Sequence, residues 1–273
     1  MQLKNIKIYT LSIISVIILS CSTDDKQQVV NHYTNLVFQE EFNTNTPLNT
    51  NIWNFDIGKG PDPSNPWGNN EQQYYTNRPE NIKIEDGKLI ITARRETYMG
   101  SSFTSARINT KGKFEKKYGR FEARMKMPRG RGLWPAFWLL GNDISQVNWP
   151  QCGEIDIMEY RGQEPTTTIG SIHGPGYSGG NAISKSYTLP NDRFDTGFHI
   201  FGIEWGADFI NYYVDNVLFY QIKKEDVKNG DWVFDKPFFI ILNLAVGGNF
   251  VGNPNAETPF PQSLEIDYIR FYE

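Results

Sequence analysis

Three carboxylates stand close together in the middle of the chain. Glu154, Asp156 and Glu159 are interleaved with apolar residues, a pattern typical of a strand with one wet face and one buried face. Side chains two apart on a strand share a face, so Glu154 and Asp156 point the same way. Strict alternation sends Glu159 to the opposite face, and one extra residue at Ile157 or Met158, a β-bulge, returns it to the other two.

The spacing of the two glutamates suits one kind of chemistry. With a bulge, Glu154 and Glu159 are four strand positions apart, roughly 13 Å between Cα atoms. Side chains that lean together would bring the carboxylates to about 5 Å, the separation of nucleophile and acid/base in retaining glycosidases. Because the residues Met-Glu-Tyr do not force a bulge, a second interpretation stays open, in which an edge strand simply holds its acids in water.

Four further motifs accompany the acidic stretch. They are Trp67-Gly-Asn-Asn-Glu-Gln-Gln-Tyr-Tyr75, Gly132-Leu-Trp-Pro-Ala-Phe-Trp-Leu-Leu-Gly141, His173-Gly-Pro-Gly-Tyr-Ser-Gly-Gly180 and Asn243-Leu-Ala-Val-Gly-Gly248. Together with Glu-Ile-Asp-Ile-Met-Glu, and in this order, they resemble glycoside hydrolase family 16 in the bulged form of its β-1,3-glucanases (laminarinases). The lichenase branch of that family has the acidic pattern one residue shorter. The resemblance extends over residues 36–273.

The regular succession of short strands predicts an all-β protein. Without a long helical period or a composition break, the pattern indicates one antiparallel sandwich domain over residues 36–273. The resemblance sharpens this to a concanavalin A-like β-jelly roll of two antiparallel sheets with a concave substrate cleft. We expect tight turns at Asp86-Gly87 and Asp215-Asn216, one continuous strand over residues 103–110, and one helical turn within residues 224–228.

The resemblance also assigns roles to the acids. It makes Glu154 the nucleophile and Glu159 the general acid/base, with Asp156 hydrogen-bonding the nucleophile and separating the two protonation states. It implies a set of substrate-binding positions: Asn69, Arg95, Trp134, Trp138, His173, Trp205 and Asn243.

Alternatives accompany several of these positions. Trp134 and Trp138 are four apart and share a strand face, where they would stack on sugars, although tryptophan is commonly a core residue. Arg95 would bind sugar hydroxyls or form a surface salt bridge, and Glu71 is a further candidate for the groove. We expect Trp205 and Asn243 on the leaving-group side.

Metal and cofactor chemistry play little part in these expectations. The resemblance implies no catalytic cofactor, but it implies a structural calcium held by Glu41, the Gly87 carbonyl and Asp267, all oxygen donors. The other histidines, His32 and His199, are expected to be structural. Their spacing offers no zinc site.

The N-terminus has the features of a targeting signal. Two lysines precede an apolar run over residues 8–19, which is too short to span a bilayer comfortably. The run ends in Ile-Leu-Ser-Cys21, which resembles a bacterial lipoprotein box. We therefore predict a signal peptide over residues 1–20, a lipidated Cys21 and a tether over residues 21–35. The predicted location is the outer membrane, at the cell surface, and the alternative is a secreted protein.

Charge and cysteine content restrict the partners. The chain carries 27 basic and 31 acidic residues, and removal of residues 1–20 takes away two lysines and no acid, leaving about −6. This charge disfavours nucleic acid and anionic membrane, so only the lipid anchor would contact a membrane, and it fits a neutral polysaccharide. If Cys21 is lipidated, Cys152 is unpaired, and we expect it to be a packing residue in a monomer.

The functional expectation is a retaining endo-β-1,3-glucanase that acts on a laminarin-type β-glucan by double displacement. Within the same family, mixed-linkage glucan and red-algal galactan are alternative substrates. A different class is a glycan-binding lipoprotein without catalysis, since one fold serves both purposes. The presence of both Glu154 and Glu159 argues against a pure binder.

Overall fold

The fold consists almost entirely of β-strands. The computed structural model describes residues 32–43 and 47–273, in which we find eighteen strands and three short 3₁₀ turns. The strands are β1 Leu36–Glu40, β2 Asn54–Phe55, β3 Gln73–Tyr75, β4 Ile82–Glu85, β5 Lys88–Tyr98, β6 Ser101–Ser105, β7 Arg107–Asn109, β8 Glu115–Lys116, β9 Gly119–Lys126, β10 Leu133–Gly141, β11 Glu154–Tyr160, β12 Thr167–His173, β13 Ile183–Thr188, β14 His199–Trp205, β15 Phe209–Val214, β16 Val217–Lys223, β17 Phe238–Val246 and β18 Gln262–Tyr272. The 3₁₀ turns are Pro66–Gly68, Gly179–Asn181 and Lys224–Asp226.

Two sheets form a β-jelly-roll sandwich. The first, called the site sheet because it carries the three acids, has the order β13-β12-β11-β10-β17-β7-β2, with β8 paired to β17. The second, called the outer sheet, has the order β16-β15-β14-β9-β18-β5-β6-β3, with β1 paired to β18 and β4 to β5. The predicted all-β fold is confirmed. One pairing departs from the antiparallel rule, because β3 and β6 run parallel.

The core lies between the sheets and follows from alternation along the strands. On β10, for example, Leu133, Phe137 and Leu139 enter the main apolar cluster, while Trp134 and Trp138 face away from it. β17 is buried along its whole length, since its two faces are covered by the core on one side and by the site residues on the other. The site side chains therefore project from a sheet whose opposite face is closely packed against the core.

Two details of the strand prediction were wrong. The expected single strand over residues 103–110 is interrupted at Ala106, so that β6 joins the outer sheet and β7 joins the site sheet. Strand β13 was missed because Ile-Ser-Lys-Ser-Tyr-Thr carries too few apolar residues to be recognised. It is an edge strand with four exposed side chains, which explains its polar composition.

Both predicted hairpin turns are present. Asp86 and Gly87 have φ of 51° and 69°, and Asp215 and Asn216 have φ of 49° and 65°. Two consecutive residues with positive φ define the type I′ turn, whose twist matches that of antiparallel strands.

The beginning of the described region packs on the outer sheet. His32 donates its backbone N–H to Glu204 at 3.0 Å, and its Nδ1 lies 2.7 Å from the same carboxylate. Asn35 and Glu273 exchange two backbone hydrogen bonds. His32 and Asn35 thus contact the domain, while the predicted boundary between tether and domain at residue 35 stays a prediction. The predicted signal peptide and Cys21 lie outside the described residues, and no helix in the described part of the chain is long and apolar enough to cross a membrane.

Candidate active site

The predicted β-bulge is present in β11. Against β12, Asp156 pairs with Ser171 and Glu159 with Ile169, so three steps on β11 oppose two on its neighbour. Against β10 the register shifts between the partners of Phe137 and Trp138. The extra residue turns Glu159 to the face of the sheet that carries Glu154 and Asp156, called here the site face.

Neighbouring strands surround the acids with specific side chains. Glu154 pairs with His173 at the end of β12, and Glu159 pairs with Ala136 of β10, between Trp134 and Trp138. The pairing of β10 with β17 runs without interruption through Pro135, so both tryptophans keep the predicted common face. The acids thus have a histidine on one side and two indoles on the other.

The two glutamates are poised to hold protons. Burial first, and then the charge of Asp156, raises the pKa of Glu154 to about 8, although His173 opposes this. The same two causes raise the pKa of Glu159 well above its usual range. The indole of Trp134 lies close enough to favour the charged form of Glu159, but its geometry falls short of a hydrogen bond. The site therefore favours the protonated form of both glutamates, and Glu154 has to lose its proton before it can act as a carboxylate.

His173 is oriented from both sides of its ring. Its Nδ1 accepts the backbone N–H of Gly179 at 3.1 Å, and its Nε2 lies 3.0 Å from Asp156 and 3.6 Å from Glu154. Burial by itself lowers the pKa of His173, but the hydrogen bond and charge of Asp156 and the nearby glutamates raise it to about 9. While the ring is neutral and Nδ1 accepts, its proton sits on Nε2, the nitrogen nearest to Asp156.

The same cluster has the residue types of a metal site. Ligand atoms of Glu154, Asp156 and His173 lie within 4.8 Å of one another. A metal would need the lone pair of Nε2. Because Nδ1 accepts the Gly179 N–H, the proton of the neutral ring sits on Nε2, and this lone pair is not available. The arrangement fits proton transfer and charge stabilisation better than metal binding.

A second group of polar residues lies on the other side of the acids. Trp138 donates its indole N–H to Asn243 on β17 at 2.8 Å. The guanidinium of Arg107 on β7 lies between two rings, 4.9 Å from Trp138 and 4.5 Å from Trp67, and its Nε donates to Asp56 at 2.9 Å. Asn243 therefore lies beside Trp138, and its place on the leaving-group side stays a prediction.

The loop before β3 reaches this group. The side-chain amide of Asn69 lies 3.4 Å from the Trp67 carbonyl and 3.5 Å from Glu71. Glu71 is 6% exposed, so it is a buried acid and not an open lining residue of the groove. Burial raises the pKa of Glu71, while hydrogen bonds from Gln73 and the charge of Arg107 act against that rise.

Two predicted binding residues are placed elsewhere. Trp205 is 0% exposed within the core between the sheets and donates its indole N–H to the Phe234 carbonyl, so the prediction that it borders the substrate was wrong. Arg95 lies on the outer sheet, where its guanidinium lies about equally far from the contacting rings of Phe103 and Phe260 and donates to the Asn255 carbonyl at 3.1 Å. Its contact with substrate stays a prediction.

Arg107 and Trp149 were missed from the sequence. Trp149 is 42% exposed, its ring lies 5.8 Å from that of His173, and its indole favours the charged form of Glu154. It precedes the acidic stretch within a loop, where no periodicity reveals its direction. Arg107 follows the unexpected break at Ala106, and that break is what brings it onto the site face.

Cys152 behaves as the predicted packing residue. It is fully buried against Leu140, Phe239 and Ile241, and burial raises the pKa of its thiol to about 11. A thiol with so high a pKa is a poor nucleophile.

The three proposed calcium donors lie near one position on β18. Pairing of β18 with β5 ends at Ile266 and pairing with β1 begins at Ile269, which brings the Gly87 turn and Glu41 to the intervening gap beside Asp267. Both carboxylates are already in ion pairs, Glu41 with Arg270 at 2.7 Å and Asp267 with Arg124 at 2.6 Å. A cation would have to displace two arginines.

Comparisons with known proteins agree with this geometry. Residues 69–270 match the profile of Glycosyl hydrolases family 16. The chain is 38% identical to a β-glucanase of Rhodothermus marinus over 285 residues, which covers 100% of this chain and 96% of the relative. The laminarinase catalytic domain of Thermotoga maritima superposes with a TM-score of 0.83 at 49% identity, covering 87% of this chain and 97% of that domain.

Other relatives extend the same agreement. The laminarinase of Flavobacterium sp. UMI-01 superposes with a TM-score of 0.78 at 46% identity, covering 87% of this chain and 100% of that one. Glucan endo-1,3-beta-glucosidase A1 of Niallia circulans is 39% identical, and the chain spans 38% of its length. The protein belongs to glycoside hydrolase family 16.

Proposed function

We propose that the protein is a retaining endo-1,3-β-glucanase. The observation that carries the proposal is the bulge of β11, which places Glu154, Asp156 and Glu159 on one face beside His173. Close relatives named for β-glucanase, endo-1,3-β-glucosidase and laminarinase activities support the substrate. We also propose that the enzyme works as a monomer and without a catalytic cofactor.

The reaction proceeds in two displacements. Glu154, as carboxylate, attacks the anomeric carbon while Glu159, as acid, gives its proton to the leaving glycosidic oxygen. Glu159 then takes a proton from water, which attacks the glycosyl-enzyme ester and releases Glu154. Asp156 keeps the pKa of the acid high, so that Glu159 still carries its proton when Glu154 is ionised. Hydrolysis returns both glutamates to their starting protonation states.

The direct test measures cleavage and stereochemistry together. The purified protein is incubated with laminarin, lichenan, agarose and carrageenan, and reducing ends and product sizes are followed. Glu154→Gln provides the inactive control. We expect oligosaccharides from laminarin, with the β-anomer formed first in proton NMR. An α-anomer as first product would refute retention, cleavage of galactans alone would refute the substrate, and binding without cleavage would indicate a glycan-capture protein.

We propose further that Cys21 is lipidated and that the anchor holds the catalytic domain at the outer-membrane surface. The lipoprotein-box resemblance of residues 18–21 supports this proposal. Mass spectrometry of the N-terminal peptide from the membrane fraction tests it, with Cys21→Ser as control. Recovery of the unmodified mature protein from the medium would favour the secreted alternative.

For calcium we propose a weak site at Glu41, Gly87 and Asp267. The oxygen donors suit calcium, but the ion pairs with Arg270 and Arg124 compete with it. We expect a small rise in Tm with calcium over EDTA, and the rise should vanish in Asp267→Asn. An identical Tm with and without calcium in the wild type would refute the site.

A further inference from the structure

Two loops meet at the end of β17. One, called the tryptophan loop, comprises residues 65–72 and precedes β3, and the other, called the glycine turn, comprises residues 247–250 and follows β17. Asn249 donates its backbone N–H to the Asn69 carbonyl at 2.9 Å, and its side-chain oxygen accepts the amide of Asn70 at 3.1 Å. A backbone and a side-chain hydrogen bond therefore join the two loops.

Glycine at position 248 permits this close contact. Gly248 has φ of 101°, and a Cβ atom there would lie 2.8 Å from the Asn69 carbonyl oxygen, the same oxygen that accepts the Asn249 N–H. Residues other than glycine also rarely adopt this φ. Gly247 is similar, with φ of 73° and a Cβ position 2.8 Å from the side chain of Gln72. A side chain at either glycine would therefore push the two loops apart.

The tryptophan loop needs support from outside. Trp67 and Asn70 have φ of 53° and 57°, in the left-handed region. Asparagine tolerates that region, but for a residue as bulky as Trp67 it is an outlier. Such a conformation carries strain and persists only where the surrounding structure holds it. The glycine turn supplies part of this support, because Asn249 binds the backbone of Asn69 and the side chain of Asn70.

The tryptophan loop carries one side of the candidate cleft. The half-buried ring of Trp67 lies 4.5 Å from the guanidinium of Arg107, which itself lies 4.9 Å from the ring of Trp138. The strand order β11-β10-β17-β7 places Arg107 three strands from the acids, roughly 14 Å at the usual strand spacing. Trp67 therefore lies too far from the acids to contact the sugar that is cleaved, and beside the path of a later unit of the same chain.

We propose that Gly248 and Asn249 are positioning residues that hold the tryptophan loop, and with it Trp67, in place to bind a glucan unit remote from the scissile bond. The inference rests on the proposed glucanase function. A ring held in one orientation loses less conformational entropy when a sugar stacks on it. Because the contacts between the loops do not include the acids of β11, their loss should raise KM, leave kcat nearly unchanged and alter which bond of an oligosaccharide is cut.

Two variants test the proposal, each with a matched control. Gly248→Ala adds one methyl group at the close contact. Its control, Gly100→Ala, adds one at φ of 78° in the β5–β6 hairpin, where no atom of the described residues apart from its chain neighbours lies within 4 Å of the added carbon. Asn249→Ala removes the side chain that binds Asn70, and its control, Asn253→Ala, removes an exposed asparagine of the same connection. Asn249→Ala keeps the test valid if Gly248→Ala does not fold, because it adds no atoms.

Kinetics, product analysis and NMR are measured on the same proteins. We expect KM for laminarin to rise about fivefold in Asn249→Ala, equivalent to about 1 kcal/mol, and more than about tenfold in Gly248→Ala, with kcat within about twofold of wild type. A linear β-1,3-gluco-oligosaccharide of defined length, labelled at its reducing end, should give its products in altered proportions. In protein with ¹⁵N-labelled tryptophan, the Trp67 indole signal, assigned with Trp67→Phe, should shift in both variants. Both controls should match wild type.

The measurements distinguish failure of the positioning role from failure of the proposed function. Unchanged KM and product proportions in both variants would overturn the proposal, and so would a fall in kcat at constant KM. If Gly100→Ala or Asn253→Ala had the same effect, the cause would be a general loss of stability, and the proposal would also be wrong. The NMR measurement needs no substrate. A wild-type protein that does not cleave laminarin would refute the proposed function, while an unchanged Trp67 signal in both variants would refute the positioning.

Discussion

Replacing Asp156 by asparagine should move the whole pH profile of the enzyme to lower pH. The carboxylate of Asp156 is 4% exposed and its charge is the second largest cause, after burial, of the raised pKa values of Glu154 and Glu159. The Asp156→Asn side chain keeps the shape and removes the charge. Both glutamates then ionise more easily, so the nucleophile is ready at lower pH and the acid loses its proton at lower pH.

The magnitude follows from the distance. Carboxylate oxygens of Asp156 and Glu154 lie within 4.8 Å of each other. At an effective dielectric constant of about 20, two unit charges 4.8 Å apart repel by about 3.5 kcal/mol. Since about 1.4 kcal/mol corresponds to one pKa unit, this repulsion corresponds to about 2.5 pKa units, and we expect the limbs of the profile to move by about 2 pH units.

The assay is the pH dependence of kcat/KM on soluble laminarin, because the positions of its two limbs are independent of the absolute rate. The matched control is Glu85→Gln, which removes an exposed carboxylate paired with Lys83 on the outer sheet and should leave both limbs in place. If the limbs of Asp156→Asn coincide with those of wild type, the electrostatic role assigned to Asp156 is wrong.

Further predictions concern the acids, the exposed indole and the thiol. Glu154→Gln and Glu159→Gln should each lower kcat by at least about 10²-fold in the same assay, and equal turnover would refute the roles. Because the folded state raises the pKa of Glu154 to about 8, the wild-type acid stabilises the fold below its unfolded pKa and loses that contribution as pH rises through 8. Thermal melts should therefore show Glu154→Gln gaining Tm relative to wild type between about pH 4 and 8, and a constant difference would contradict this. Trp149→Ala should raise KM several-fold by removing the ring beside His173, and an unchanged KM would exclude contact with substrate. Cys152 should react with a thiol reagent only in denaturant, and fast labelling of the native protein would contradict its burial.

The fold and the placement of the three acids on one face were predictable because their signals are local. Alternation gave most strands, Asp-Gly and Asp-Asn marked the type I′ turns, and the acidic stretch with its motifs indicated the family. Trp134 and Trp138 were placed on one face because four residues on a regular strand always return to the same side.

The errors arose where the position of a residue depends on distant parts of the chain. Trp205 lies on a strand that alternates like those of the site, but this strand belongs to the outer sheet. The sequence did not show which sheet the strand joins, and therefore did not show that Trp205 faces the core. Arg107 reaches the site face only because the chain changes sheet at Ala106. Which sheet a strand joins is a tertiary property that short-range spacing does not contain.

The bulge itself can be explained by the residues that flank it. Without it, alternation after Asp156 would bury Glu159 and leave Met158 and Tyr160 on the wet face. With it, Ile157, Met158 and Tyr160 all enter the core, where each is at most 3% exposed. Burying a side chain such as Met158 is worth about 1.5–3 kcal/mol, and an unpaired carboxylate in the core costs several kcal/mol more. The register with the bulge is therefore strongly favoured, and the force that selects it is hydrophobic burial. The three acids share the site face because Ile157, Met158 and Tyr160 can all be buried only when β11 contains the bulge.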